Sequence, residues 1–346
     1  NLQKIGGILA VESFPYLKDL SGLVSLDHLG GFFTSFSHFE TLDGLEGITQ
    51  TASIDINSSP HLKTLKGLEN VTEAEHINIS GCDSLIDLSG LNNVQKVDDL
   101  IIYNNESLIN LVGLENLDTI FNDLSIQKNP VFDSFEGLHT KVVWGDIWLR
   151  DLPQLKDFST LCCLDHIEKI LSVFETGITS LAGLEELESL SLLRFGYNED
   201  LQSLNGIENL TALKFLSLFN NEMLFDIDAL SNTNPDSFAI STNPTIVIAD
   251  NPLLSNCSIE PICLALEKSD IISNIENNLA FCDTRASILS QCLTHTDENF
   301  TKGQTKVYPN PFDQVIWVES KSIQSIMFLN SSGCGIKKYN LNRGLT

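Results

Sequence analysis

A small residue followed by Leu or Ile, most often Gly-Leu, returns ten times along this chain, at positions 22, 44, 67, 90, 113, 137, 160, 183, 206 and 229. The mean spacing is 23 residues. This regularity restricts the fold more than any other property of the sequence, because a unit of that length cannot bury its apolar face alone and must stack on copies of itself. The clearest copy runs Leu100-x-Ile102-x-x-Asn105-x-x-Leu108-x-x-Leu111-x-Gly113-Leu114-x-x-Leu117-x-x-Ile120. Leu100 and Ile102 alternate with outward residues as in a short strand, and the later apolar positions point into the same core. Strands of successive coils then pair in parallel at ~4.8 Å per step, which makes a rod about 50 Å long.

The slot three residues before the next Leu holds Asn105, Asn129, Asn198, Asn221, Asn243 and Asn251. A buried amide at such a bend satisfies backbone groups left without a strand partner. Cys82 fills the same slot and reads as a core substitute, not a reactive thiol. Ser59 and Leu152 depart from the pattern and break the expected ladder. Phe33, Phe36, Phe39, Phe132, Phe135, Phe158, Phe195 and Phe215 are expected in the interior as packing.

With 46 Asp and Glu against 20 Lys and Arg, the net charge is −26. Such a chain is repelled by phosphate backbones and anionic membranes, so nucleic acid is excluded as an expected partner. The acidity reads as a solvated surface, since no Asp-x-Asp-x-Asp-Gly calcium loop occurs. No apolar run reaches the ~18 residues of a membrane span, so no transmembrane segment is expected. Asn1-Leu2 aligns with Asn116-Leu117 in mid-repeat, so the chain is expected to be truncated at its N-terminus.

No G-x-S-x-G elbow, H-E-x-x-H helix or phosphate-binding glycine loop is present, and His28, His38, His61, His76, His139, His166 and His295 are scattered. The expectation is a protein that is not an enzyme and carries no cofactor or metal. Cys257, Cys263, Cys282 and Cys292 cluster where the repeat rhythm lapses and read as two staples closing the open end of the rod. They permit three pairings, among which the spacing does not choose. A zinc site would lack paired C-x-x-C knuckles and a nearby His. A short helix is expected from Ile259 to Lys268, with Pro261 in its first turn. Cys162 and Cys163, with His166 close behind, are compatible with a vicinal disulfide, a metal cluster or two surface thiols, and they do not complete a four-ligand set. After a polar linker comes Val307-Tyr308-Pro309-Asn310-Pro311-Phe312, followed by alternating Val315-x-Trp317 and by Ile326-Met327-Phe328-Leu329, which reads as the start of a small β-sandwich.

Two resemblances follow from these residues. The coil pattern over residues 1 to about 255 resembles secreted bacterial leucine-rich-repeat proteins and the related receptor L-domains. It implies a leucine-rich-repeat solenoid with a disulfide-stapled C-terminal cap. Similarity to the cysteine-flanked caps of extracellular repeats implies the pairs Cys257 with Cys282 and Cys263 with Cys292. The stretch Tyr308-Pro309-Asn310-Pro311-Phe312 resembles the opening of the C-terminal sorting domain of type IX secretion cargo in Bacteroidota. It implies the type IX secretion machinery as a partner, a secreted or outer-cell-surface location, and a sorting domain cut short at Thr346. The resulting division is solenoid 1–255, cap 256–293, linker 294–304 and partial sorting domain 305–346.

If Leu100 and Ile102 point inward, the outward pairs of successive coils are Ile101 and Tyr103, Ser125 and Gln127, Trp148 and Arg150, Leu171 and Val173, Arg194 and Gly196, Ser217 and Phe219. Tyr103, Trp148, Arg150, Arg194 and Phe219 then form an aromatic and guanidinium track, made of residue types enriched at binding hot spots. Glu175 stands where Asn is expected, and a one-residue slip there turns Leu171 and Val173 inward. Two functions fit: a secreted or cell-surface adhesion module binding an extracellular protein or glycan through this face, or a non-catalytic spacer of a larger exported hydrolase.

Overall fold

A computed structural model describes residues 2–161 and 164–296, together with the backbones of four later strands, Lys306–Tyr308, Trp317–Glu319, Ser325–Leu329 and Gly335–Asn340. Cys162, Cys163 and the motif residues Pro309, Asn310, Pro311 and Phe312 lie outside the described residues. The chain forms two compact units, Asn1–Cys292 and Leu293–Thr346.

The first unit is a parallel β-solenoid of about 12 turns. Its main ladder runs from Lys4–Glu12 through Asp99–Tyr103, Ile147–Leu152 and Ser189–Gly196 to Ser273–Glu276, its strands paired in parallel, with one register shift between Ile5 and Ile8. A second ladder of two-residue strands, Lys96–Val97, Thr119–Ile120, Val142–Val143 and His166–Ile167, runs beside it. Within each coil Leu, Ile and Phe project to one continuous core; Leu100, Ile102, Leu108, Leu111, Leu114 and Leu117 of one repeat are all fully buried.

Three devices recur along the coils and turn the chain. The strand ends in a residue with left-handed φ, among them Ser13 (59°), Asn104 (56°), Lys128 (55°), Glu175 (53°), Tyr197 (57°) and Asn277 (55°). That conformation costs an ordinary residue roughly 1 kcal/mol or more, and its recurrence marks a bend that the stacked coils impose. In the regular coils the very next residue carries the buried amide. Asn129 Oδ1 accepts from the backbone N of Asn105 (2.9 Å) and from its Nδ2 (3.2 Å), while Asn129 Nδ2 donates to Ile102 O and Gln127 O. The same arrangement links Asn198, Asn221, Asn251 and Asn278. Finally the Gly-Leu corner approaches the preceding coil so closely that a Cβ on Gly113, at φ 112°, would lie 2.2 Å from Leu88 O. Glycine is the residue that fits there.

Several expectations need correction. Asn243 is exposed and belongs to no amide ladder; the irregular coil before Ile246–Ala249 leaves Asn251 to serve that rung, and Asn278, in the last coil, extends it. Phe33 and Phe215 sit on the outward side of their strands and Phe36 is largely exposed at a left-handed bend, so none is interior; Phe32, one residue away, is the buried one. Ser59 and Leu152 do interrupt the amides, yet both are fully buried, and Leu152 pairs with Thr176 of the next coil. Thr176 resumes the ladder, its Oγ1 donating to Asn198 Oδ1 at 2.7 Å.

The end of the solenoid is covered by helix α1, Glu260–Glu267, with Pro261 in its first turn, and by the start of helix α2, Arg285–Thr296. Bridges join Cys257 to Cys282 and Cys263 to Cys292. Arg285 Nη2 donates to Lys268 O (2.7 Å) and Nη1 to Ile271 O (2.6 Å), tying α2 to the chain that leaves α1. The parallel sheet continues beneath this cap, since Ser273–Glu276 pairs with Ile246–Ala249. In the second unit, Lys306–Tyr308 pairs antiparallel with Trp317–Glu319, Tyr308 opposite Trp317, and Ser325–Leu329 pairs antiparallel with Gly335–Asn340.

Candidate functional site

Alternation along each strand leaves two columns of side chains on the outer face of the main ladder. One column runs Ile101, Ser125, Trp148, Ser172, Arg194, Ser217, and the other Tyr103, Gln127, Arg150, Phe174, Gly196, Phe219. The expected outward pair Leu171 and Val173 is therefore corrected: both are buried, and Ser172 and Phe174 take the outer face. The cause is local. Glu175 occupies the left-handed bend and Thr176 the amide slot, so the strand is displaced by one residue against the repeat consensus.

That displacement builds the most distinctive part of the surface. Phe174 and Phe219 flank Gly196 on adjacent coils with ring centroids 5.6 Å apart, and Tyr197 meets Phe219 edge-on at 5.6 Å. A Cβ on Gly196 would lie 2.8 Å from Phe219 and 2.9 Å from Phe174, so its bare backbone is what lets the two rings meet above it. The Arg194 guanidinium lies 5.1 Å from the Phe174 ring centre and 5.8 Å from that of Phe219. These are cation–π distances, which also hold the guanidinium in place.

Arg150 has a different environment. Its Nε and Nη2 donate to the two carboxylate oxygens of Glu175 at 3.0 and 3.2 Å, and this hydrogen-bonded pairing raises the Arg150 pKa further above its already high value. Gln127, Trp148, Leu149, Arg150, Phe174 and Arg194 together line a pocket of about 220 Å³. Thus Trp148, Arg150 and Arg194 share one pocket, and Phe219 supports it through Arg194 and Phe174. Tyr103 stands apart, with Lys128 Nζ 5.2 Å from its ring centre. Gln127 is among the outward residues that the repeat pattern assigns, whereas Phe174 and Tyr197 are not; only the Glu175 irregularity in the sequence points toward Phe174.

Two larger concavities lie elsewhere. One of about 520 Å³ is bordered by His28, Gln50, Glu73, Lys96 and Phe121 among others, and one of about 420 Å³ by Tyr197, Glu199, Asn220, Glu222, Asp250 and Asn277. At the entry to the main strands, His76 Nδ1 lies 2.8 Å from Asp99 Oδ2, and Asp146 N donates to Asp123 Oδ1 at 2.8 Å. Burial, with the neighbouring Asp123 charge, raises the Asp146 pKa. Among the described residues no group of His, Cys, Asp and Glu is arranged to hold a metal, and no helix is long and apolar enough to cross a membrane. No protein-family model matches the chain, and no curated protein matches it.

Proposed function

We propose that this chain is the recognition module of a secreted or outer-surface protein, of the leucine-rich-repeat type, binding an extracellular protein or glycan through the outer face of its main strand ladder. The observation that carries this reading is the clustering of Trp148, Arg150, Phe174, Arg194 and Phe219 on one rigid face of an otherwise acidic molecule. Aromatic and Arg side chains concentrate binding energy, and a stacked sheet presents them with little entropic loss on binding. Two disulfides in the described unit agree with an oxidising compartment. The likeness of Tyr308-Pro309-Asn310-Pro311-Phe312 to the type IX sorting motif supports export by that machinery.

The test is an array of glycans and surface proteins probed with the full chain, folded under oxidising conditions, beside a Trp148→Ala, Arg150→Ala double variant. Binding that is lost in the double variant supports the reading. Equal binding by both would remove the strand face from the account and favour the alternative of a spacer within a larger exported hydrolase.

A further inference from the structure

We infer that the pocket between Trp148 and Arg194 takes the carboxylate of an acidic sugar residue, a uronic or sialic acid unit, an assignment that rests on reading the strand face as a recognition surface. Arg150 is already matched by the bidentate Glu175, whereas Arg194 forms no ion pair among the described residues. Its guanidinium is held against Phe174 and Phe219, rings that orient it and offer no hydrogen-bond acceptor in the plane of its N–H groups. Among the three described arginines, Arg150 has a carboxylate and Arg285 donates to backbone carbonyls, whereas Arg194 has neither and leaves its N–H groups for an external acceptor. The guanidinium fork matches a carboxylate with two parallel hydrogen bonds.

The second observation is Ser172. It stands between Trp148 and Arg194 in the same outward column, fully buried, and its Oγ has no hydrogen-bond partner. A buried hydroxyl without a partner carries a cost that an incoming polar group relieves. The third is shape. At about 220 Å³ the pocket is smaller than the ~300–1,000 Å³ of ordinary small-molecule sites, and it suits a single ring. Trp148 supplies an apolar wall and Gln127 an amide within it.

Those features together select the ligand. An Asp or Glu side chain would satisfy Arg194 and leave the Trp148 wall uncovered. A neutral sugar would cover Trp148 through its C–H face and leave Arg194 without a counter-ion. A sugar carrying its carboxylate on the ring does both, with hydroxyls for Gln127. The net charge of −26 does not forbid it, because beyond the ~8 Å Debye length at physiological salt the rest of the surface is screened.

Calorimetric titration of the full chain with trigalacturonate and sialyllactose, against neutral galactotriose and lactose and against a hexaglutamate peptide, tests this. The expected result is binding of at least one acidic saccharide, its neutral counterpart weaker by roughly tenfold or more, and a similar loss in Arg194→Gln, the scale of one charge-assisted hydrogen-bonded pair. Arg194→Lys, which keeps charge without the fork, is expected to recover only part of the affinity. Equal affinity for acidic and neutral saccharides, preference for the peptide, or binding of no saccharide each overturns the acidic-sugar assignment. The broader reading of the face is judged separately, by whether whatever partner the array finds is lost in the Trp148→Ala, Arg150→Ala variant.

Discussion

At the scale of single residues, the buried amides separate what shapes the coil from what decorates it. Asn129, itself fully buried, supplies an acceptor to two groups of Asn105 and a donor to two carbonyls. Asn129→Ala is therefore expected to lower unfolding free energy by on the order of 2–3 kcal/mol, whereas exposed Asn243→Ala leaves it unchanged; paired denaturant melts of the full chain decide. The two asparagines look alike in sequence, and only the paired strands tell them apart. Cys82 is the same lesson in another residue type. Buried in the amide column, its thiol is pushed up to about 12 by burial, so labelling at pH 8 followed by peptide mass mapping should leave Cys82 unmodified until the chain unfolds. Glu115 shows why part of the acidity is structural. Burial acts to raise its pKa, but hydrogen bonds from the Gly113 amide and Asn92 outweigh burial and hold it below its ordinary value. A depressed carboxyl stabilises the fold above the ordinary carboxylate range, and that contribution is lost as pH falls through the lowered value. Glu115→Gln should accordingly flatten the fall in thermal midpoint on the acid side.

At the scale of the element, the same capping recurs at the corners, where Gly67, Gly183 and Gly206 donate to Glu69, Glu185 and Glu208 two residues on. Asn70, Asn93, Asn116, Asn209 and Asn232 bridge to the previous coil one residue further along. The Gly-Leu-Glu-Asn corner is thus a unit of hydrogen bonding, legible as a repeat but not as a mechanism until the coils are stacked. Period and alternation announced the coil and most of its core because each copy repeats the same burial. They misplaced Leu171, Val173, Phe33, Phe36 and Phe215, since a shift of one residue along a strand exchanges the two faces and leaves composition untouched. The last coil, with Asn278 and the strand Ser273–Glu276, was hidden because its spacing departs from 23 residues while its hydrogen bonds do not. The cap offers a direct check. Cys257–Cys282 and Cys263–Cys292 close loops with sequence separations of 25 and 29 residues. Loop-closure entropy assigns about 3–4 kcal/mol to such a bridge, so reductant should lower the melting midpoint, with hydrogen exchange rising first around α1 and Ser273–Glu276.

At the scale of the whole molecule, the solenoid acts as a rigid ruler that sets side chains from distant sequence positions on adjacent rungs. Trp148, Phe174, Arg194 and Phe219 are spread over some seventy residues and meet on one patch because four strands pair in register. The outward placement of Trp148, Arg150, Arg194 and Phe219 is legible in the sequence, but the pocket is not, because its key ring, Phe174, depends on the displaced strand around Glu175. Gly196 then acquires a role that no repeat pattern assigns, as the gap over which two aromatic rings close. The most direct measurement is partner affinity for two single tryptophan variants of the full chain, Trp148→Ala on the outer columns and Trp144→Ala, an exposed tryptophan outside them that packs near His166. Loss of roughly tenfold or more in affinity for Trp148→Ala, a hot-spot effect of over ~1 kcal/mol, with Trp144→Ala indistinguishable from the parent, is the predicted result. Equal effects of the two substitutions, or a loss confined to Trp144→Ala, would contradict the assignment of recognition to the strand face.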